Sequence, residues 1–337
     1  MKTKKRFTAL SLALMMAGLS LVGCGSAAST TTAAAAPETT SNTTGGKQYT
    51  IGVLQLIQHP ALDKTNKGFV DAINASGLSV RFDQQNASGE QSACQTIAEK
   101  FVNDRDDLIF AIATPAAQAA AAATEEIPIV ISAVTDPAAS GLVATNNAPG
   151  GNVTGTSDLT PVREQIDLLK QMFPDAKTVG ILYCTSEANS ALQLEMAKQA
   201  CTDQGLTAKE YSVSSSNEIQ SVTESMVGNV DVIYIPTDNT IAAGISTVAS
   251  VATDHKIPII SGEEGQLEGG GLATYGIDYY ELGKMAGEQA VSILKGEKKP
   301  GEIPIGHLSA SQCTLMISKD QADALGIDVS SLKISYK

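Results

Sequence analysis

The second half of the chain repeats the first, at an offset of about 128 residues. TIGVLQ at 50–55 recurs as TVGILY at 178–183, Leu78 as Leu206, and NASGEQSA at 86–93 as SSSNEIQS at 214–221. DLIFAIATP at 107–115 returns as DVIYIPTDN at 231–239, and EIPIVISA at 126–133 as KIPIISGE at 256–263. The order is kept throughout. A repeat of this length is far longer than a solenoid unit, so each copy is large enough to be a lobe. Two similar lobes facing each other leave a cleft between them, and the repeated phrases fall where strands end and loops begin.

Each copy reads as strands alternating with helices, the pattern of βαβ units and a parallel sheet. In the first copy the expected strands are 49–54, 79–82, 108–113 and 127–132, and the expected helices 63–75, 91–103 and 116–123. The second copy follows the same plan over 178–261. Aromatic residues make up 4% of the chain and Trp is absent, so the cores must be built from Ile, Val, Leu and Ala, which suits parallel sheets covered by helices on both faces. The fold class is therefore α/β, with two doubly wound lobes joined by a multi-strand hinge. Segment 152–174 lies between the copies, with Thr160 as expected N-cap and Pro161 in the first turn of a helix. A second crossing is expected near 275–278. A helix at 280–295 and a strand at 303–306 then return to the first lobe, and 313–337 closes on the second. The lobes so assembled are 49–156 with 278–310, and 157–277 with 311–337.

The amino terminus has a different composition. Lys2, Lys4, Lys5 and Arg6 precede an interrupted apolar run at 7–22, too short to span a bilayer and suited to an export signal over 1–23. Leu21-Val22-Gly23-Cys24 resembles a lipobox, which makes Cys24 the expected site of lipidation. The Ser/Thr/Ala/Gly tract that follows to residue 48 cannot bury enough apolar surface to offset ordering entropy and reads as a tether. Removing 1–23 takes the formal charge from −13 to −17, which argues against nucleic acid as a partner. Cys94, Cys184, Cys201 and Cys313 match no zinc spacing and no CxxC motif, and are expected as small, wholly or partly buried residues.

Ligands of open parallel sheets bind beyond the carboxyl ends of the strands. In the first copy those ends carry Gln55 with His59 nearby, then Thr114, Pro115 and Ala116, then Thr135 and Asp136; Ser157 and Asp158 follow at the crossing. In the second they carry Ser186, Glu187, Asn189 and Ser190, then Thr237, Asp238 and Asn239, then Glu263. None of these loops holds an arginine. An anion would be seated by hydroxyls and by amides at helix N-termini, and the acids Asp136, Asp158, Glu187, Asp238 and Glu263 are available for an ammonium. A zwitterion fits this set better than a sugar or a phosphate. Taken singly, Asp158, Asp238, Asn239 and Ser190 are equally good helix caps. GxSxG, Walker, HExxH and GxGxxG patterns are absent and the three histidines are scattered, so no catalytic residue, metal or cofactor is expected.

GVLQLIQHPALD at 52–63, AIATPAAQ at 111–118, AVTDP at 133–137, PGGNVTGTSD at 149–158, SEANS at 186–190, PTDN at 236–239 and YYELGKMAGEQA at 279–290 are carried in order. With them the chain from Tyr49 onward resembles the ABC-transporter substrate-binding lipoproteins of the tryptophan/tyrosine type, whose fold is similar to type I periplasmic binding proteins. The resemblance implies a lipoprotein held outside the cell membrane, and a monomer is expected because nothing in the chain suggests an interface beyond the permease contact. It would capture an amino acid, an aromatic one by that likeness, through hinge closure and deliver it to a permease powered by an ATPase. A sugar or nucleoside receptor on the same fold, or the accessory of a membrane sensor, is the alternative. Ring stacking would require Phe69, Tyr183, Tyr234, Tyr275 or Tyr279 to face the cleft.

Overall fold

The computed structural model describes residues 47–329. The leader at 1–23, Cys24, the tether up to residue 46 and the end of the chain from residue 330 lie outside the described residues. The first copy contributes β1 (Tyr49–Gln55), α1 (Pro60–Ala75), β2 (Val80–Asn86), α2 (Gln91–Asp104), β3 (Leu108–Ile112), α3 (Thr114–Ala123), β4 (Ile129–Val134) and β5 (Val153–Ser157). The second begins with α4 (Val162–Met172), β6 (Thr178–Cys184), α5 (Ala188–Asp203), β7 (Thr207–Val213) and α6 (Ile219–Met226). It continues through β8 (Val232–Ile235), α7 (Asn239–Ala243), α8 (Ile245–Asp254), β9 (Ile259–Ser261), α9 (Glu264–Glu268) and β10 (Ala273–Gly276). A tail of α10 (Tyr279–Leu294), β11 (Gly306–His307), β12 (Thr314–Ile317) and α11 (Lys319–Leu325) completes the described chain.

Among the described residues the strands form two six-stranded sheets, ordered β2-β1-β3-β4-β5-β11 and β7-β6-β8-β9-β10-β12. Neighbours are parallel except for β12, which runs antiparallel to β10. The same order in both sheets is the repeat in three dimensions, and it gives the two-lobed, doubly wound α/β architecture that the sequence predicts. The inner strands β3 and β4 are buried at every position, which is why they read as unbroken Leu, Ile, Val and Ala runs rather than as alternation.

The chain passes between the sheets three times. After β5 it enters α4, which packs on α5, β9 and β10. After β10 it returns through α10, which packs on α1, β4 and β5, and β11 extends the first sheet beside β5. It then crosses again to β12, at the edge of the second sheet. Asp278 starts α10 directly after the second crossing, its carboxylate accepting from the amides of Tyr280 at 2.9 Å and Glu281 at 3.2 Å. Asp278→Ala is expected to cost about 1 kcal/mol of stability, and Asp278→Asn much less, in urea denaturation.

Two local expectations are corrected. The helix after the first crossing begins at Val162 with Pro161 outside it, at φ −78° and ψ 78°. Thr160 is thus one residue too early to reach a first-turn amide, and its buried hydroxyl makes no cap. The strand expected at 303–306 is only Gly306–His307, because a 3-10 turn occupies Pro300–Glu302 and Pro304 has no N–H to give a ladder.

Each sheet is covered on both faces. In the first lobe the rings of Phe69 and Phe110 stack at 3.7 Å between centroids, joining α1 to β3. In the second, Tyr234 is wholly buried and donates its hydroxyl proton to Gln165 Oε1 at 2.8 Å, while Gln165 Nε2 donates to the carbonyls of Gly262 and Tyr275. Phe69 and Tyr234 are therefore core residues and not stacking platforms. Cys94, Cys184 and Cys201 are buried and unpaired with one another, and Cys313 is half-buried. Burial pushes the thiols of Cys94 and Cys201 up to about 11.

Candidate functional site

The carboxyl ends of the two sheets face each other, and the loops that leave them touch. His59 Nε2 lies 3.2 Å from Asn239 Oδ1, and Thr135 Oγ1 lies 3.2 Å from Thr237 Oγ1. Gln193, buried on α5, donates to both of these threonine hydroxyls and accepts from the Thr237 amide. Towards the rim, Gln91 Nε2 donates to the Ser186 carbonyl at 3.2 Å, and Lys64 on α1 pairs with Glu264 at 3.2 Å and Glu268 at 2.8 Å on α9. These contacts bridge the two lobes, so the cleft is closed.

On the first lobe, Gln55 braces the β1–α1 turn, its Nε2 donating to the Ile57 carbonyl and to Asp63 Oδ1. His59 follows at the N-cap position of α1, buried and in extended backbone. Thr114, Pro115 and Ala116 are buried in the first turn of α3, two residues earlier than the expected helix start. Ala113 before them has φ +83°, a conformation that a residue with a side chain holds only when its surroundings impose it. No side chain caps α3, and Thr114 Oγ1 is buried without a protein partner. Asp136 ties its own loop together, accepting from the amides of Ala138 and Ala139 and from Asn146 Nδ2. Ser157 Oγ donates to the Thr135 carbonyl at 2.7 Å. Asp158, 4% exposed, accepts the Tyr279 hydroxyl at 2.8 Å on Oδ2 and has no protein partner on Oδ1.

On the second lobe α5 begins at Ala188, so Asn189 and Ser190 sit inside its first turn and Glu187 occupies the cap position. The Glu187 carboxylate reaches across to α7. Its Oε1 accepts from Thr240 N and Oγ1, and its Oε2 from Asn239 N, Asn239 Nδ2 and Asn189 Nδ2. Asp238 caps α7 through Oδ1 to Ile241 N at 2.8 Å, while Oδ2 accepts from Cys184 N and Ser190 Oγ. Glu263 caps α9, accepting from Gly265 N at 2.5 Å and Gln266 N at 2.6 Å. Ser186 is exposed at the rim. The oxygens of Glu187, Asp238 and Glu263 are thus engaged by protein donors, whereas Thr114 Oγ1, Asp158 Oδ1 and Asn189 Oδ1 are buried and unengaged.

No ion pair reaches Asp158, Glu187, Asp238 or Glu263 among the described residues. Burial is the largest influence on each shifted carboxyl. It pushes Asp158 up to about 6 against the Tyr279 hydroxyl that favours the charged form, and Glu263 up to about 8 against two backbone amides. Asp238 is raised by burial and then by the neighbouring Glu187. Burial lowers the His59 imidazole and holds it neutral. A site of this kind, acidic, buried and without a protein cation among the described residues, is suited to a cationic ligand group.

Gln193 and the Lys64–Glu268 pair escape sequence reasoning, because nothing distinguishes a glutamine on a helix flank until the facing lobe is in place. Tyr279, weighed only as a stacking ring, acts through its hydroxyl on Asp158. His59 stands closer to the second lobe than its place after β1 implies.

Comparison with known proteins places these features. The family model described as ABC transporter substrate binding protein matches residues 50–334. The chain is 43% identical over 295 residues to a tyrosine-binding protein of Clostridioides difficile (strain R20291), covering 86% of this chain and 85% of that protein. A crystal structure of the ABC domain in complex with L-Trp from Streptococcus pneumonia is 41% identical, with a TM-score of 0.81 over 85% of this chain and 98% of that one. The ligand-free, open structure of a substrate-binding protein with adhesive properties from Clostridium difficile is 43% identical but has a TM-score of 0.64, covering 85% and 97%. Near-equal identity with unequal superposition is what a two-lobed fold gives when its lobes differ in angle, and the bridging contacts above put this chain with the closed form. By sequence and by fold, the chain belongs to the ABC transporter substrate-binding protein family.

Proposed function

We propose that this chain is a lipid-anchored receptor, held outside the cell membrane through Cys24, that captures an aromatic amino acid and hands it to the permease of an ABC importer with its ATPase. The observation that carries the ligand class is the trio of buried, unengaged polar atoms on facing loops, Thr114 Oγ1, Asp158 Oδ1 and Asn189 Oδ1. The two acceptors suit an ammonium. The Thr114 hydroxyl and the uncapped N-terminus of α3 suit a carboxylate. The ligands of relatives at 41–43% identity, tyrosine and L-Trp, supply the aromatic side chain.

Capture proceeds by hinge closure. With lobes at 49–156 and 278–310, and at 157–277 and 311–337, the three crossings would flex while the two sheets stay rigid; Ser157, the last residue of β5, pairs within the first sheet and so belongs with the first lobe. Closing brings Asp158 and Asn189 to the same ammonium and removes water, which strengthens both contacts. The closed monomer, with Lys64 bridging to α9, would be the form the permease receives.

The test is a thermal-shift screen of a soluble form beginning at Gly46, against the twenty amino acids, common sugars and nucleosides. Mass action raises the melting temperature only for ligands that bind the folded state, by about 2.7 kcal/mol of stability at 100 times Kd. A rise confined to Tyr, Trp or Phe supports the proposal. A rise with sugars or nucleosides alone refutes the amino-acid ligand and leaves the fold standing.

A further inference from the structure

The His59 ring has one nitrogen that the rest of the site does not use. Glu187 fixes the arrangement on the other side. Its Oε2 accepts from Asn239 Nδ2 at 2.6 Å, which orients the Asn239 amide so that Oδ1, an acceptor, faces His59. His59 Nε2 must therefore carry the proton and donate it. The ring is buried and neutral, so Nδ1 is a bare lone pair, and it is buried without a protein partner. A lone pair in that position costs free energy until a donor meets it.

We infer that His59 Nδ1 accepts a hydrogen bond from the donor on the ligand's aromatic side chain, a phenol O–H or an indole N–H, and so selects Tyr or Trp over Phe. The inference rests on the aromatic amino-acid reading above. In that reading Asp158 Oδ1 and Asn189 Oδ1 already take the ammonium, and Thr114 with the α3 N-terminus takes the carboxylate. His59 Nδ1 is a further unengaged acceptor, at the junction of the lobes beside Asn239, and the ligand's side chain is the part left to meet it. The same ring joins the lobes, since the Nε2–H that it gives to Asn239 is polarised further when Nδ1 accepts. A donor-bearing ligand thus reinforces the bond that holds the cleft closed.

The consequence is a discrimination larger than shape alone allows. A site built to pair a ligand hydroxyl rejects the analogue without it, because the protein group is then left unpaired. Wild-type protein is expected to bind Tyr or Trp about 10-fold or more tightly than Phe by isothermal titration calorimetry. His59→Gln places an amide where Nε2 stands, keeping a donor for Asn239, and removes the Nδ1 acceptor. It should bring the preferred ligand to within about threefold of Phe, the preference ratio being the readout. Equal weakening of all three ligands would mean that His59 meets the ligand's backbone, and an unchanged preference would mean that it meets nothing; either overturns the inference. Should His59→Gln fail to fold, the wild-type imidazole can be followed by 15N NMR, with His255→Gln and His307→Gln, both exposed, assigning the resonances. The Nδ1 signal should move on adding Tyr or Trp and stay in place on adding Phe; no movement with either donor-bearing ligand overturns the inference. Failure of the wild type to bind any of the three would show earlier, before a variant is made, and would remove the ligand reading together with the inference.

Discussion

Asp158→Ala is expected to weaken binding of the amino-acid ligand by about 100-fold or more, since removing one partner of a buried, hydrogen-bonded charge pair leaves the other uncompensated. Asp158→Asn keeps the shape and one acceptor and should fall between wild type and Ala, separating charge from hydrogen bonding. Acid should act in the same direction. Burial holds the Asp158 carboxyl up to about 6 in the ligand-free protein, and a bound ammonium favours its charged form. Below about 6 the ligand must displace a proton, so affinity should fall by about tenfold per pH unit there, and the Asn variant should lose that dependence. Stability should move the other way. Asp158 and Glu263, at about 6 and about 8, both lie above their unfolded values, so the folded chain binds these protons more tightly than the unfolded one. Their contribution therefore destabilises the ligand-free protein as pH rises from about 4 to about 8. Melting curves and titration calorimetry over one pH series check both trends, and parallel trends would remove Asp158 from the ammonium site.

Gly283→Ala is expected to destabilise the first lobe by about 2–3 kcal/mol, despite the better helix propensity of alanine. Helices α1 and α10 lie against each other through glycines. A Cβ at Gly283 would overlap the Thr65 carbonyl oxygen and come within 2.7 Å of its carbon. A Cβ at Gly68 would overlap the Tyr280 carbonyl oxygen and lie 2.9 Å from Lys284 N, and one at Gly287 would lie 2.6 Å from Ala72 Cβ and 2.8 Å from the Phe69 carbonyl. Backbone atoms cannot turn aside as a side chain can, so the helices must separate and the packing around Phe69 loosens. Glu288→Ala, on the exposed side of α10, is the control and should change stability by less than about 0.5 kcal/mol. Urea denaturation of the two variants decides; equal midpoints would show that the helix pair has room to spare.

The two-lobed α/β fold was legible because a repeat is a statement about the chain as a whole. It survives errors of one or two residues at element ends, such as those at Thr160 and at 303–306. The candidate loops were legible as places, since strand ends can be found from Ile, Val and Leu runs. The role of each polar residue within them was not. Asp238, Glu187 and Glu263 look the same as Asp158 in sequence, yet the first three spend their oxygens on α7 and α9 amides, and Asp158 keeps one free. What separates them is the count of donors within reach, which depends on the facing loop and not on neighbours along the chain. Gln193 and the His59–Asn239 pair, whose residues are 180 apart, illustrate the same limit.

The glycine-paired helices also set a schedule for assembly. The face of α1 that receives α10 is made early in synthesis, but its partner is encoded beyond the whole of the second sheet, between Tyr279 and Leu294. Until that stretch emerges, Phe69 and its neighbours have no cover on that side, and the first lobe cannot be finished before the second has been made. A nascent or translocating chain therefore carries a long-lived apolar flank, and long-range closure of this kind is slow and prone to off-pathway association. Truncation anywhere before Leu294 should leave neither half as a separable, folded product.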